Sequence, residues 1–228
     1  MTDDLVSVVL PIHDQAEHVR AIVGEYAEAL TRARITYEII LVPNACRDES
    51  ANLCRDLAGT LAGVRAVEST VGGWGHAVRL GLREARGALL CYTNSARTTP
   101  EDLTLLVLYA ATHRDTVVKA NRKIREHWTR RLGSLLYNLE CRALFDLSNW
   151  DINGTPKVFP RTFSKFLALT RDDDLIDAEF SLICRREGYR MLEVPIFSHR
   201  RHGGRSTTTW RSAVKMYWGA YRLSRQCR

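Results

Sequence analysis

Residues 6–17, VSVVLPIHDQAE, decide the fold of this 228-residue chain. The stretch begins with a short β-branched and aliphatic run, which is typical of a strand buried on both faces. A polar turn follows, and residues 16–34 then show helical spacing. The same order recurs from residue 37, where YEIILVPNACRDES indicates a strand at 37–42 and leads into a helix at 49–61. Strands that alternate with helices predict a doubly wound, mostly parallel sheet.

This alternation extends along the rest of the chain. We predict further strands at 64–68, 88–92, 116–120, 157–159 and 191–194. The predicted helices lie at 75–85, 100–113, 129–145, 177–187 and 209–225. The fold class is therefore α/β, with helices that flank a mostly parallel sheet and an amphipathic, basic helix at the C-terminus. Ligands of such sheets bind beyond the carboxyl ends of the strands, where we expect the loops at 13–15, 43–45, 72–76 and 93–97.

The composition is that of an ordinary globular protein, because 45% of the residues are hydrophobic and 26% are charged. No apolar run approaches the ~20 residues that span a bilayer. The acidic start, MTDD, leads directly into a strand and lacks the layout of a secretory signal. We therefore expect a cytoplasmic location.

Six cysteines without CxxC spacing argue against a zinc knuckle or a redox pair, and we interpret them as buried or incidental thiols.

The positive charge is concentrated at the end of the chain. After Glu193 there are eight arginines and lysines and no acidic residue, although the whole chain carries a net charge of only +7. The preceding part is therefore close to neutral, with a net charge of about −1. A basic segment of this kind predicts an anionic partner, which could be phosphate groups, a lipid surface or nucleic acid.

Several motifs together resemble a known family. VSVVLPIHDQAE, YEIILVPNACRDES and GGWGHAVRLGLREARG (72–87) resemble the nucleotide-sugar domain of family 2 glycosyltransferases, which have the GT-A fold. DINGTPKVFPR (151–161), IDAEFSLICRREGYRMLEVPI (176–196) and HRRHGGRST (199–207) resemble the branch that contains dolichol-phosphate mannose synthase and bacterial polyprenyl-phosphate glycosyltransferases. The resemblance covers nearly the whole chain, and the order and spacing of the motifs carry it.

The resemblance implies a division of the chain into two regions. Residues 1–198 would form the GT-A domain, with a nucleotide-binding part at about 1–120 and an acceptor-side part at about 121–198. Residues 199–228 would form a basic loop rich in glycine and arginine, followed by the C-terminal helix.

The metal-binding motif of the family is degenerate in this chain. Family members hold a divalent metal on the donor diphosphate with a DxD motif, and the matching slots here are Thr93 and Ser95 if Pro100 is matched to the proline after the motif. Hard cations near phosphates usually take carboxylate oxygens. We therefore expect no metal ligands and little or no metal dependence. The alternative is that the enzyme uses Mg²⁺ or Mn²⁺. Thr99 and Pro100 are explained as the start of a helix, whereas residues 93–95 form either a ligand site or a plain turn.

The nucleotide-sugar site is predicted from the strand ends and from the resemblance. Asn44 takes a position where family members have an aspartate that bonds the base, and its amide offers a donor as well as an acceptor. Residues of the 151–157 motif match a loop that closes the sugar pocket. The full predicted set is Pro11, His13, Asp14, Gln15, Asn44, Gly75, Thr93, Asn94, Ser95, Asp151, Asn153 and Lys157.

Arginines could neutralise the donor diphosphate where the metal is lacking, because a guanidinium binds phosphate through two parallel hydrogen bonds. We expect this role for the loop at 199–206, with Arg200, Arg201, Arg205 and Ser206 as diphosphate ligands. A second cluster of candidates consists of Arg122, Arg125, Arg130 and Arg131. The alternative for each arginine is a solvated surface charge.

Two acidic residues near the start of a predicted helix, Asp177 and Glu179, are the catalytic candidates. The segment matches the acidic helix on the acceptor side of the family, where a carboxylate can deprotonate a hydroxyl acceptor or orient the sugar. We favour Asp177. The alternative is structural, because carboxylates in the first turn suit the helix dipole regardless of function.

The leading hypothesis is an inverting glycosyltransferase that uses a nucleotide sugar and a polyprenyl-phosphate, saccharide or natural-product acceptor. The basic aromatic helix suggests peripheral contact with the inner face of a membrane. The alternative is a catalytically silent nucleotide-binding module of the same fold. Nucleic-acid binding is disfavoured, because the aromatic residues of the last helix form a single stripe.

Overall fold

A seven-stranded sheet runs through the centre of the structure, a computed structural model that describes residues 4–124, 128–197 and 210–226. The strand order is β3-β2-β1-β4-β6-β5-β7. The strands are β1 (Val6–Ile12), β2 (Tyr37–Pro43), β3 (Val64–Ala66), β4 (Leu89–Tyr92), β5 (Thr116–Ile124), β6 (Lys157–Pro160) and β7 (Arg190–Phe197). All pairings are parallel except those of β6, which runs antiparallel to both of its neighbours.

Helices flank this sheet, so the predicted α/β class with a mostly parallel sheet is confirmed. They are α1 (Val19–Arg32), α2 (Ser50–Thr60), α3 (Trp74–Glu84), α4 (Pro100–Thr112), α5 (Trp128–Phe145), α6 (Ile176–Arg186) and α7 (Trp210–Gln226). Each predicted strand and helix is present, with ends shifted by a few residues. The sequence prediction lacked the short 3-10 helix Ser164–Ala168. It also ended β5 at residue 120, whereas the strand continues to Ile124.

Strand β6 joins two groups of strands. Its residues pair with β4 on one side, where Lys157 lies opposite Tyr92, and with β5 on the other, where Lys157 lies opposite Lys119. Within the described residues, β4 and β5 have no direct ladder, so β6 alone connects the β3-β2-β1-β4 group to β5 and β7.

The core lies on both faces of the sheet. In β1, Val8 and Leu10 belong to the apolar layer beneath α1 and α4, whereas Val9 belongs to the opposite layer with α3 and α6. This alternation explains why the strand reads as an almost continuous apolar run. Pro11 is tolerated in this central strand because the ladder with β4 ends at Val9, two residues earlier.

Helix α7 packs against α5 and α6. Ala220 and Leu223 of this helix share an apolar cluster with Tyr137 on α5 and with Leu182 on α6. Residues 198–209 and 227–228 lie outside the described residues, so the predicted division at residue 198 stays a prediction. None of the helices in the described ranges combines the length and the apolar character that a membrane span requires.

Candidate functional site

The carboxyl ends of β1, β2 and β4 lie side by side, because β1 is parallel to both of its neighbours. Hydrogen bonds connect the loops that follow these strands. Ser95 Oγ donates to Gln15 Oε1 at 2.5 Å, and the Gly73 amide donates to Asn44 Oδ1 at 3.1 Å. The four loops that we expected to line one crevice are therefore brought together. A surface cavity of about 240 Å³ borders Pro43, Cys46 and Ser69 at the β2 end of this edge.

Asn44 braces two of these loops. Its Nδ2 donates to the Ile12 and Val42 carbonyls at 2.8 and 3.2 Å, and its Oδ1 accepts from Gly73. Both amide hydrogens are therefore used inside the protein, and one lone pair of Oδ1 is left for a ligand. Binding of a nucleotide base by Asn44 stays a prediction. Asn44 could take part in it only as an acceptor, through the remaining lone pair of Oδ1.

The stretch from Thr93 to Thr99 forms a tight turn and a helix start. Thr93 and Ser95 are fully buried, and the Thr93 hydroxyl bonds the Thr98 hydroxyl at 2.6 Å. The Asn94 side chain accepts from the Ala96 amide at 3.0 Å, as in an Asx turn. Thr99 Oγ1 accepts from the Asp102 amide at 3.1 Å, which confirms the predicted helix cap.

The donor atoms at 93–95 do not fit a hard divalent cation. Mg²⁺ and Mn²⁺ near phosphates usually take carboxylate oxygens, whereas this turn offers two buried hydroxyls that already have partners and one amide that bonds its own backbone. No step of the chemistry is therefore assigned to a metal at this position.

One group of three potential metal ligands occurs among the described residues, at the loops after β1 and β2. It consists of His13, Asp14 and Cys46, whose donor atoms lie within 4.8 Å of one another. Burial raises the pKa of the Cys46 thiol above its ordinary value. Asp14 and Ala45 adopt positive φ angles of 49° and 45°, so both loops turn sharply here.

The N-terminus of α3 is covered by the segment before α6. The His76 amide donates to the Asp172 carbonyl at 3.0 Å. A Cβ atom on Gly75 would lie 2.3 Å from the Arg171 carbonyl oxygen, so only glycine allows this approach. Gly75 is buried beneath this segment, and its predicted contact with the nucleotide sugar stays a prediction.

A buried ion pair links β6 to α6. Lys157 Nζ and the Tyr92 hydroxyl both donate to Asp177 Oδ1, the latter at 2.9 Å. Lys157 is fully buried, and Asp177 is almost so. Burial lowers the pKa of the Lys157 ammonium to about 8, although the nearby carboxylate favours its charged form.

A second charged network lies beside the first. Arg122 Nε and a terminal nitrogen bind the Asp151 carboxylate at 2.7 and 2.8 Å. Burial disfavours the Arg122 charge, but the Asp151 carboxylate outweighs burial and raises the pKa of Arg122. The fully buried Lys119 donates to Glu193 at 3.0 Å and to the Asp151 carbonyl. The 151–157 motif is therefore fixed by charges on β5, β7 and α6.

Asn153 is part of the 151–157 motif. Its Oδ1 is buried and makes no hydrogen bond within the described part of the chain. A buried acceptor without a donor is uncommon in a folded protein and is consistent with a ligand hydroxyl or a water.

The two predicted catalytic carboxylates have different surroundings. Asp177 is held by Lys157 and Tyr92. Glu179 accepts from the Thr170 amide and hydroxyl, at 3.0 and 2.6 Å, and from the Arg171 amide at 3.0 Å. Glu179 thus anchors the segment that covers α3, and its catalytic role stays a prediction.

Asp174 is a further acidic residue at this edge. Burial, together with the nearby Asp177 and Asp173 carboxylates, raises the pKa of Asp174 to about 6. Its signal in the sequence is the acidic run RDDD that precedes α6. For Lys119, which was also overlooked, the signal is a lysine inside the apolar run TVVKA.

The predicted diphosphate ligands lie outside the described residues. Arg200, Arg201, Arg205 and Ser206 fall in the range 198–209, and Arg125 falls in the range 125–127. Of the second arginine cluster, Arg122 is the member whose side chain is described, and it is engaged with Asp151.

The Glycosyl transferase family 2 model matches residues 7–165, which is more than half of the chain. An undecaprenyl-phosphate 4-deoxy-4-formamido-L-arabinose transferase of Pseudomonas fluorescens (strain SBW25) is 25% identical over 170 residues, covering 73% of this chain and 50% of the relative. A transferase of the same name from Aeromonas hydrophila is 29% identical over 139 residues, covering 59% of this chain and 42% of the relative. The chain thus spans at most about half the length of these two relatives.

Solved structures share the fold. Glucosyl-3-phosphoglycerate synthase from Mycobacterium tuberculosis, in complex with Mn²⁺, UDP and phosphoglyceric acid, superposes with a TM-score of 0.72 at 16% identity, covering 96% of this chain and 76% of that chain. Its complex with Mn²⁺, UDP-glucose and glycerol 3-phosphate gives a TM-score of 0.73 at 16% identity, with coverage of 97% and 80%. At this identity the likeness shows the fold alone.

Proposed function

The chain belongs to glycosyl transferase family 2, and we propose that it transfers a sugar from a nucleoside diphosphate sugar to a lipid phosphate, with inversion at the sugar C1. The relatives from Pseudomonas fluorescens and Aeromonas hydrophila support this acceptor, because both are named as undecaprenyl-phosphate transferases.

The proposal is carried by one observation: both predicted catalytic carboxylates already have hydrogen-bond partners within the protein. Asp177 is buried and paired with Lys157, and Glu179 is used by the backbone of the 170–171 segment. A hydroxyl acceptor requires a general base. A phosphate monoester requires none, since its second pKa is about 6 and it is an anion at neutral pH. Carboxylates that hold the site together therefore favour a phosphate acceptor.

The proposed reaction is a single displacement. An oxygen of the acceptor phosphate attacks the sugar C1 from the face opposite the donor diphosphate. The bond between C1 and the diphosphate oxygen breaks, and the nucleoside diphosphate leaves with the bonding electrons. No proton is transferred in this step, so the protein contributes positioning and neutralisation of phosphate charge.

We assign neutralisation of the leaving diphosphate to Arg200, Arg201 and Arg205, with Ser206 as a further ligand. Sugar binding is assigned to the 151–157 motif, where the buried, unbonded Oδ1 of Asn153 is suited to accept from a sugar hydroxyl. Little or no metal dependence is expected, because the atoms at 93–95 do not fit a hard cation.

The proposed location is the cytoplasmic surface of a membrane. On α7, Trp218 and Tyr221 are 61% and 44% exposed, whereas Tyr217 turns inward and donates to the Gly133 carbonyl at 2.8 Å. On α5, Leu135, Leu136 and Leu139 are exposed as well. Exposed aromatic and aliphatic side chains on helices with arginines suit the interface of an anionic bilayer.

A saccharide or natural-product hydroxyl is the second candidate acceptor, and Asp174 supports it. A carboxyl with a pKa of about 6 is ionised at neutral pH and basic enough to accept a proton. If the acceptor is a hydroxyl, we therefore expect Asp174→Asn to lose turnover. If the acceptor is a phosphate, we expect this variant to keep most of its activity.

The test is turnover with a panel of uridine, guanosine, cytidine and thymidine diphosphate sugars. Each is incubated with a short-chain polyprenyl phosphate or with the matching polyprenol, with and without excess chelator, and released nucleoside diphosphate is measured. We expect release with the phosphate but not with the polyprenol, and no loss of rate in chelator.

Arg201→Gln is expected to reduce turnover about 100-fold, as removal of one stabilising donor typically does. Arg190→Gln serves as the matched control, because Arg190 is exposed and pairs with Asp115 at 3.3 Å. Release that disappears in chelator would refute metal independence. Donor binding without release under any acceptor would support the silent nucleotide-binding module instead.

A further inference from the structure

The loops after β1 and β2 carry a mixed set of metal-ligand side chains. His13 and Asp14 follow β1, and Cys46 follows β2. One nitrogen, one oxygen and one sulfur atom are thus brought within 4.8 Å of one another from two loops. All three residues are partly exposed, and Cys46 borders the surface cavity of about 240 Å³, so an ion has access.

The histidine is oriented as metal-bound histidines usually are. His13 Nδ1 lies 2.8 Å from the Asn44 carbonyl oxygen, which can only accept, so Nδ1 carries the hydrogen. The lone pair is therefore on Nε2, which lies 3.7 Å from Asp14 Oδ2. A backbone carbonyl that fixes the second ring nitrogen is a recurrent feature around protein metal sites.

The aspartate is fixed in the same manner. Asp14 Oδ1 accepts from the Arg47 amide at 2.7 Å, which leaves Oδ2 directed towards His13. The Cys46 thiol, a weak donor, donates to the Ile12 and Asn44 carbonyls at 3.5 and 3.9 Å. The thiol is therefore weakly held and can move by a small side-chain rotation.

These distances suit a tetrahedral ion. Bonds of about 2.0 Å to nitrogen or oxygen and about 2.3 Å to sulfur place tetrahedral ligands roughly 3.3–3.6 Å apart. The 3.7 Å between His13 Nε2 and Asp14 Oδ2 is close to this range, and the Cys46 sulfur lies within 4.8 Å of a carboxylate oxygen of Asp14 and of a ring nitrogen of His13. The combination of imidazole, carboxylate and thiolate favours Zn²⁺ over Mg²⁺ or Mn²⁺.

We propose that His13, Asp14 and Cys46 form a binding site for Zn²⁺ that ties the β1 loop to the β2 loop. Three protein ligands leave the fourth position of a tetrahedral ion open to water or to an added ligand. The site lies at the strand ends next to Asn44, separate from the turn at 93–95. His13 and Asp14 also belong to the predicted nucleotide-sugar set, but binding of the ion is measured without any transfer reaction.

The test uses Co²⁺ as a spectroscopic substitute for Zn²⁺ on the full chain. We expect one Co²⁺ per chain, visible bands of a tetrahedral ion and a sulfur-to-cobalt charge-transfer band, all abolished by equimolar Zn²⁺. Cys46→Ser should lose the charge-transfer band, and both Cys46→Ser and His13→Gln should bind at least about tenfold more weakly.

Matched controls are Cys184→Ala, which removes a buried thiol on α6, and His113→Gln, which removes an exposed histidine next to α4. Both controls should retain the spectrum, and thermal melts should show that all four variants fold. The proposal is overturned if the charge-transfer band persists in Cys46→Ser, if the bound ion has an octahedral spectrum without sulfur, or if the wild-type chain takes up no Co²⁺ at micromolar concentration.

Discussion

At the scale of single residues, two buried lysines lie opposite each other in the sheet. Lys119 on β5 pairs in register with Lys157 on β6, and both are fully buried. Each has its own carboxylate partner, Glu193 for Lys119 and Asp177 for Lys157. Adjacent buried charges of the same sign are costly and rarely increase stability. Their position beside the proposed sugar pocket suggests that they fix the geometry of the site.

We predict that Lys157→Met destabilises the fold by about 3–5 kcal/mol, because Asp177 is then buried without a cation. The double variant Lys157→Met/Asp177→Asn should recover at least half of this loss, since asparagine carries no charge and can still accept from the Tyr92 hydroxyl. Urea unfolding of the wild type, of Lys157→Met, of Asp177→Asn and of the double variant measures the coupling. Strictly additive effects would show that the two side chains do not interact.

Asp174 gives a pH-dependent prediction. Its pKa of about 6 lies above the value of about 3.9 in an unfolded chain, so the folded state binds more protons between these values. The ionised carboxyl therefore lowers stability above pH 6, and this cost vanishes below about pH 4. Asp174→Asn should raise the free energy of unfolding by about 1–2 kcal/mol at pH 7.5 and leave it unchanged at pH 4. A variant that is less stable than the wild type at pH 7.5 would contradict this.

At the scale of elements, the sequence predicts helices and strands better than their pairing. The spacing of apolar residues correctly predicts the presence of every predicted strand and helix. It does so because buried side chains recur with a different period in a helix and in a strand. The antiparallel direction of β6 was not predictable in this way, since the four residues KVFP do not indicate in which direction the strand runs. The longer end of β5 was missed because Asn121 and Arg122 are polar, and Glu193 and Asp151 stabilise them there.

The packing of α3 against the 170–174 segment depends on Gly75. We predict that Gly75→Ala destabilises the fold by about 1–3 kcal/mol, because the new Cβ would lie 2.3 Å from the Arg171 carbonyl oxygen and 2.7 Å from that of Asp173. Gly59→Ala in α2 is the matched control, since nothing lies within 4 Å of its Cβ position.

The control substitution Gly59→Ala should stabilise the helix by about 0.5–1 kcal/mol, whereas Gly75→Ala should destabilise the fold. Thermal or urea unfolding of both variants decides the comparison. If Gly75→Ala were as stable as the wild type, the 170–174 segment would not rest on the α3 N-terminus as described.

At the scale of the whole molecule, the candidate site was predicted as a set of loops more accurately than as a set of roles. The predicted parallel sheet implied that the 13–15, 43–45 and 93–97 loops meet at the carboxyl ends of the strands, and hydrogen bonds such as Ser95 to Gln15 join loops of this set. The roles of Asn44 and Glu179 as internal braces depend on partners distant in the chain, at Gly73 and Thr170. No local pattern contains such partners, so these roles required the folded structure.

The exposed aromatic side chains of α7 lead to a prediction for the whole chain. Trp218→Ser and Tyr221→Ser should each weaken binding to vesicles of phosphatidylglycerol and phosphatidylcholine about tenfold, which corresponds to the transfer of one large apolar side chain. Leu108→Ser on α4, where the leucine is also exposed, should have no effect. Co-sedimentation with the vesicles measures binding. An equal loss in all three variants would indicate non-specific adsorption.

The position of β6 between β4 and β5 has a consequence for synthesis of the chain on the ribosome. Strands β1 to β4 are complete once residue 92 has emerged, but the edge of β4 stays unpaired until residues 157–160 follow. An open edge of a hydrophobic strand is a template for pairing with other chains. The nascent protein therefore passes through an interval of more than 60 residues in which a chaperone, or rapid elongation, would protect it from aggregation.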